Sequence, residues 1–190
     1  TRALLAYLAV EADQPHRRER LAGLLWPDWP DREALNNLRS TLSNLRLAIG
    51  DRGAEPPFLI ITRDSIQMNP RADIDLDVSA FTNAVDAIRT GSPISGDIEQ
   101  VVGRYHGNFL EGFSIGDSPE FEEWALLTRE RLAREADYAL HSLASVYEKN
   151  GNYSKALTYA WRRIELDPLD ETAHQQLMRN LALCGQRSAA

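Results

Sequence analysis

The chain has 190 residues, a formal net charge of −7 and a single cysteine, Cys184. This length suits two small domains, and one cysteine excludes both an internal disulfide and a cysteine-based zinc site. The sequence has no run of about 18 apolar residues and no basic, apolar leader. We therefore expect a soluble cytoplasmic protein that does not span a membrane.

The charge is unevenly distributed along the chain. Residues 1–71 contain ten arginines and nine acidic residues, whereas residues 72–190 contain 11 basic and 19 acidic residues. Every basic residue before Lys149 is arginine, which suits contacts with phosphate and guanine, although a general preference for arginine explains the same pattern. Because DNA affinity depends on the local placement of positive charge, the negative total does not exclude DNA binding.

Two helices are predicted at the start of the chain. Thr1–Ala12 has a broad apolar face without glycine or proline, and Gln14-Pro15 interrupts the pattern. Arg17–Leu25 forms the second helix, with its leucines inward and its arginines outward. Arg17 lies at its start, where it is suited equally to a DNA phosphate and to solvent. The first helix begins abruptly, so we expect the native polypeptide to extend upstream.

The most informative helix is predicted at Asp31–Gly50. Its apolar residues recur at spacings of three and four and form one stripe, which comprises Leu35, Leu38, Leu42, Leu45 and Ile49. The opposite arc is polar and has no acidic residue between Glu33 and Asp51. Asp31 is placed to cap the first turn, and Gly50 to end the helix in the left-handed conformation.

A β-hairpin is predicted after this helix. Phe58–Thr62 and Ser65–Met68 read as strands joined by Arg63-Asp64. Three helices followed by a hairpin is the order of a winged helix-turn-helix, in which the third helix enters the major groove and the hairpin, or wing, lies beside it. Arg63 at the hairpin tip could then reach a phosphate or the minor groove.

The second half is predicted to be all α. The alternating acids of 69–77 favour a linker or an edge strand over a calcium loop, because the glycine and closing glutamate of such a loop are missing. Four helices are expected at 78–90, 97–105, 153–166 and 171–184, and a long one is capped by Ser118 and runs to 150. An offset of 34 residues aligns Leu143 with Leu177 and Ala156 with Ala190, which is the tetratricopeptide period.

Motifs in both halves resemble one family of regulators. In the first half they are Leu25-Trp26-Pro27-Asp28, Asn37-Leu38-Arg39 and Leu45-Arg46. In the second half they are Phe109-Leu110, Glu123-Trp124 and Leu166-Asp167-Pro168-Leu169-Asp170-Glu171. The chain resembles activators of the Streptomyces antibiotic regulatory protein type, which join an OmpR-like winged helix to a bacterial transcriptional activation domain of tetratricopeptide-like helices.

The resemblance implies a mainly α protein with two domains. Residues 1–71 would be a winged-helix DNA-binding domain without its N-terminal strands, and residues 72–190 an all-α tetratricopeptide-like activation domain that continues beyond the C-terminus. Two sets of contacts with double-stranded DNA are expected. The base-facing residues are Asn37, Ser40, Thr41 and Asn44, and the phosphate-contacting residues are Arg39, Arg46, Arg63 and Arg17. Asn44 stands where such helices usually have arginine, and asparagine addresses adenine.

These patterns predict a DNA-binding transcriptional regulator that presents its helical domain to RNA polymerase or another regulatory protein, with a homodimer among the expected partners. The alternative is a protein-interaction scaffold whose winged helix does not bind DNA. No phosphate-binding glycine loop, nucleophile motif or paired metal ligand is present among the sequence motifs. We therefore expect no enzymatic activity, no cofactor and no metal.

Overall fold

The computed structural model describes residues 1–186, in which helices predominate, so the predicted mainly helical fold is confirmed. The chain divides into two compact units. The first comprises residues 1–78 and 110–127, and the second comprises residues 79–109 and the residues from 128 onward. Ala190, which the 34-residue comparison aligned with Ala156, lies outside the described residues.

The first unit combines three helices with a small sheet. Its elements are α1 (Arg2–Val10), β1 (His16–Arg17), α2 (Arg18–Leu25), α3 (Asp31–Ala48), β2 (Leu59–Ile61) and β3 (Ser65–Met68). Strands β2 and β3 pair antiparallel with Ile61 opposite Ile66, which confirms the predicted hairpin. The sheet order is β1-β3-β2, because β1 pairs antiparallel with the other side of β3.

Strand β1 was not predicted, and it changes the position of Arg17. The prediction that the second helix includes Arg17 is wrong: Arg17 has an extended backbone and pairs with Ser65, and the helix begins at Arg18. The pairing occurs because the backbone of β3 offers hydrogen-bonding groups on both edges. His16 is buried beside it, with its ring against that of Tyr7.

Helix α3 buries the apolar stripe that its sequence predicts. Leu38, Leu42 and Leu45 are buried, and the two ends of the stripe are half-buried. The predicted cap at the start is wrong, because Pro30 occupies the N-cap position and Asp31 is the first helical residue without a capping side-chain bond. Its carboxylate still lies in the first turn, where the helix dipole favours it. Gly50 has φ of 70°, so the predicted left-handed helix end is confirmed.

Residues 110–127 complete the core of the first unit. Phe121 and Ala125 are buried with leucines of α1, α2 and α3. Ser118 caps the long helix α6 (Pro119–Lys149), as predicted, by accepting a 3.2 Å hydrogen bond from the Phe121 N–H. The Ser118 hydroxyl also donates to the Leu24 carbonyl at the end of α2. One serine thus starts α6 and anchors it to the first unit.

The second unit is wholly helical within the described residues. Its elements are residues 79–89 of α4 (Asp77–Arg89), α5 (Gly96–Gly103), residues 128–149 of α6, α7 (Tyr153–Leu166) and α8 (Glu171–Leu183). These bounds agree closely with the predicted helices, and residues 69–76 form no strand. Asn152 and Asp170 cap α7 and α8 with their side chains.

A buried arginine joins three of these helices. The side chain of Arg163 is 2% exposed and pairs with Asp137 of α6 at 2.7 Å and with Asp170 at 2.8 Å. It also donates to Gln176 of α8 at 2.9 Å. Burial raises the pKa of Asp170, but hydrogen bonds from Thr172 and the charge of Arg163 outweigh this effect, so its pKa lies below the ordinary 3.8. The helix pairs are therefore held together by charge as well as by apolar contact.

Helix α5 is joined to the same helices through Glu99. Its carboxylate accepts hydrogen bonds from the hydroxyls of Tyr147 and Tyr159 and from the Lys155 ammonium at 3.0 Å. Burial alone would raise the pKa of Glu99, but these hydrogen bonds and the positive charge of Lys155 lower it below the ordinary 4.5. A single carboxylate thus connects α5 to α6 and α7.

We predict that Leu38→Ala lowers the free energy of unfolding by about 2–5 kcal/mol, because it leaves a cavity in the first core. Leu47→Ala is the matched control on the same helix, since Leu47 is 75% exposed, and it should change stability by no more than about 0.5 kcal/mol. Urea unfolding followed by tryptophan fluorescence measures both. Equal losses for the two variants would contradict the assigned burial.

Arg163→Ala should destabilise the second unit by about 2 kcal/mol, because it leaves the buried Gln176 without its hydrogen-bond donor and Asp170 without its charged partner. The control is Arg179→Ala, since Arg179 is 65% exposed and lies 3.7 Å from Glu148; such surface pairs contribute about 1 kcal/mol or less. Thermal and urea unfolding followed by circular dichroism would compare them. A loss for Arg163→Ala no larger than for the control would show that the buried network contributes little.

Candidate nucleic-acid interface

The outer face of α3 is the polar surface opposite its buried stripe. Its exposed residues are Arg32, Glu33, Asn36, Arg39, Ser40, Ser43, Asn44 and Leu47. The acids of this helix, Asp31 and Glu33, both lie in its first turn. The remaining turns, about four in number, therefore offer amide, hydroxyl and guanidinium groups without a competing carboxylate on the helix.

The four residues predicted to face bases lie along one side of α3 at spacings of three and four. Ser40 and Asn44 are exposed, whereas Asn37 and Thr41 are half-buried. Thr41 lines a cleft of about 230 Å³ together with Trp26 and Trp29 of the loop before α3. Ser40 and Asn44 are thus the accessible members of the predicted set, and Thr41 lies at the edge toward the tryptophan loop.

The predicted phosphate-contacting arginines occupy two places. Arg39 and Arg46 lie seven residues apart on one shoulder of α3, and Arg39 is exposed while Arg46 is half-buried. Arg63 is exposed in the turn between β2 and β3. Arg17 is exposed in β1 opposite Ser65, the residue that follows this turn along β3. The sheet therefore brings Arg17 to the same end of the hairpin as Arg63, which the sequence alone did not predict.

The guanidinium of Arg46 is tied to a carboxylate that sequence reasoning missed. Its Nε donates to Asp51 Oδ2 at 2.7 Å. The other carboxylate oxygen, Oδ1, accepts the backbone N–H of Leu59, the first residue of β2, at 2.9 Å. The signal in the sequence was an acid directly after the glycine that ends α3.

A second missed contact anchors the hairpin turn. Arg18, at the start of α2, donates from Nη2 to the Thr62 carbonyl at 3.0 Å, and its backbone N–H donates to the Asp64 carbonyl at 3.0 Å. The Thr62 hydroxyl in turn accepts the N–H groups of Asp64 and Ser65. The tip that presents Arg63 is therefore fastened to the helix that precedes α3.

Residues 1–186 contain no group of three or more histidine, cysteine or acidic side chains arranged to hold a metal ion. In this same part of the chain, no helix combines the length and the apolar character that crossing a membrane requires.

The helix pairs of the second unit define a mainly helical protein of the tetratricopeptide-like class. The model of the family described as the bacterial transcriptional activator domain matches residues 76–190, and the chain belongs to this family. The predicted resemblance of the second half to a bacterial transcriptional activation domain is thereby confirmed, and with it a role in transcriptional regulation. No curated protein matches the chain.

We predict that Arg18→Ala loosens the hairpin turn. Losing its bonds to Thr62 should speed hydrogen exchange of the backbone amides at 62–65 about fivefold, because one hydrogen bond contributes about 1 kcal/mol. Arg17→Ala is the control, since it removes the neighbouring exposed arginine, and it should leave these rates unchanged. Hydrogen–deuterium exchange with mass spectrometry measures both. Equal rates in the two variants would show that Arg18 does not hold the turn.

Proposed function

We propose that the protein is a non-catalytic, sequence-specific regulator of transcription that binds double-stranded DNA through residues 1–71, which form a winged-helix domain. The observation that supports this most strongly is the outer face of α3, which is polar and free of acids after its first turn and is accompanied by an arginine-tipped hairpin. Membership of the bacterial transcriptional activator domain family supports the regulatory role.

In this proposal α3 is the recognition helix. A helix of its diameter fits the major groove, where side chains read base edges. Ser40 and Asn44 are exposed there, with Asn37 and Thr41 beside them. The amide of Asn44 can bond both N6 and N7 of adenine, which makes it the main determinant of base preference.

The arginines would position the protein on the DNA backbone. Arg39 and Arg46 lie along one shoulder of the recognition helix, and Arg63 and Arg17 lie at the end of the wing. Contacts between arginine and phosphate contain no sequence information but fix the register in which the helix meets the bases. Binding as a homodimer to repeated half-sites would add to this affinity.

The helical domain would contact RNA polymerase or another regulatory protein. Trp161 of α7, Met178 of α8 and Leu169 of the loop between these helices are large apolar side chains that lie exposed. Aromatic and methionine side chains of this kind are enriched where proteins bind one another.

Two observations favour the alternative of a scaffold whose winged helix does not bind DNA. The Arg46 guanidinium already has a carboxylate partner, and the chain as a whole is acidic. Part of the protein's positive charge is therefore neutralised by its own carboxylates in the absence of DNA. A DNA-binding regulator should bind some duplex more tightly than random competitor DNA, whereas the scaffold should show no such preference.

One experiment distinguishes the DNA-binding regulator from the scaffold. A duplex is selected from a random pool with this chain and labelled, and its binding is measured by fluorescence anisotropy across a salt series. We expect Arg39→Ala to weaken all duplexes and to reduce the slope of log K against log salt by about 0.9, the value of one phosphate contact. Asn44→Ala should instead cost about 1–3 kcal/mol of discrimination at one base pair.

The control is Arg134→Ala on α6, because Arg134 is 74% exposed and lies in the second unit; it should leave both affinity and slope unchanged. No enrichment of any duplex from the pool, with no binding at about 50 mM salt, would reject DNA binding and leave the scaffold.

A further inference from the structure

Asp51 is a buried acid next to the face of α3 for which we propose an anionic partner. Its side chain is 0% exposed, in the short turn that follows α3. A buried carboxylate is costly unless it is paired and hydrogen-bonded, and Asp51 meets both conditions with one partner for each oxygen. Asp51 also contacts Arg46, an arginine of the proposed DNA surface, and charge balance alone does not explain why an acid is buried there.

The hydrogen bonds of Arg46 explain the position of Asp51. The bond to Asp51 uses Nε, whereas the four N–H groups of the two terminal nitrogens have no hydrogen-bond partner among residues 1–186. The side chain as a whole is 34% exposed. Asp51 therefore fixes one edge of the guanidinium and leaves the terminal edge available for a phosphate.

Asp51 also links this arginine to the hairpin. Its second oxygen holds the Leu59 N–H at the start of β2, so one carboxylate sets the position of the Arg46 guanidinium and of the hairpin relative to α3. We infer that Asp51 is a positioning residue for DNA binding, which pre-orients Arg46 toward a backbone phosphate in register with the wing. This inference rests on the DNA-binding function proposed above.

The inference makes a prediction opposite in sign to simple electrostatics. Removing a negative charge near a DNA surface should strengthen binding if charge alone matters. Asp51→Asn removes the charge while retaining an oxygen that can accept the Leu59 N–H. If Asp51 positions Arg46, this variant should instead bind about three- to tenfold more weakly, because the released arginine must be ordered again on binding.

The experiment uses one duplex, selected with the wild-type chain. Its affinity is measured at several salt concentrations for four proteins: wild type, Arg46→Ala, Asp51→Asn and the double variant. Asp51→Asn should weaken binding in the wild-type background and have no effect in the Arg46→Ala background. Tighter or unchanged binding by Asp51→Asn, or an equal loss in both backgrounds, would overturn the inference.

A variant that loosens the hairpin without touching Arg46 controls for a merely structural effect. Asn69 donates to the Pro57 carbonyl at 2.7 Å beyond the other end of β3, so Asn69→Ala should alter affinity equally with and without Arg46. Circular dichroism checks that each variant is folded.

Arg46→Lys provides a second test of the positioning role, because lysine retains the charge but lacks the Nε–H that donates to Asp51. Asp51→Asn should therefore cost less in the Arg46→Lys background than in wild type, and an undiminished cost there would also overturn the inference.

The two proposals fail in different ways. A wild-type chain that binds no duplex overturns both the DNA-binding function and the role of Asp51. A wild-type chain that binds DNA, together with an Asp51→Asn variant that binds as well or better, overturns only the positioning role.

Discussion

Burial of the leucine stripe of α3 is the constraint on which the first unit depends. Leu38, Leu42 and Leu45 pack with leucines of α1 and α2 and with Phe121, so the helix cannot rotate without exposing them. Because side chains on a helix are fixed to its faces, burying one face determines which residues lie on the other. The exposure of Arg39, Ser40 and Asn44 is thus a consequence of the core.

The second unit is held together in another way. Around Arg163, charged and polar groups of three helices meet in one hydrogen-bonded network. Such a network adds little net stability compared with an apolar core, because its charges must leave water. It does require one arrangement of the helices, since any other would leave a buried charge unpaired. We expect it to favour a unique packing of α6, α7 and α8 more than a high melting temperature.

Much of the fold could be predicted from local patterns, and what could not be predicted depends on contacts between distant residues. The stripe of α3, the hairpin at Arg63-Asp64 and the cap at Ser118 are each encoded within a few residues. Strand β1 has only two residues, and the residues of β3 with which it pairs are 48 and 50 positions further along the chain. The packing of Phe121 in the first core is similarly non-local, because the helix periodicity of α6 shows which face is apolar but not what covers it.

The same distinction applies to the proposed interface. The helical period predicted the outer face of α3, and the hairpin pattern predicted the exposed tip. The partners of Arg46 and Arg18 were not predictable, because an arginine in a sequence is equally suited to solvent, to a phosphate or to a carboxylate of the same chain. Asp51 illustrates the difficulty: its neighbours in the sequence suggest an ordinary turn, and only the fold buries it.

The cations of the proposed interface are all arginines, and the chain has no lysine before Lys149. Lysine acetylation, which removes a positive charge, therefore has no side-chain target in the first unit. The positive charge on the outer face of α3 and on the hairpin tip is consequently not subject to control by this modification.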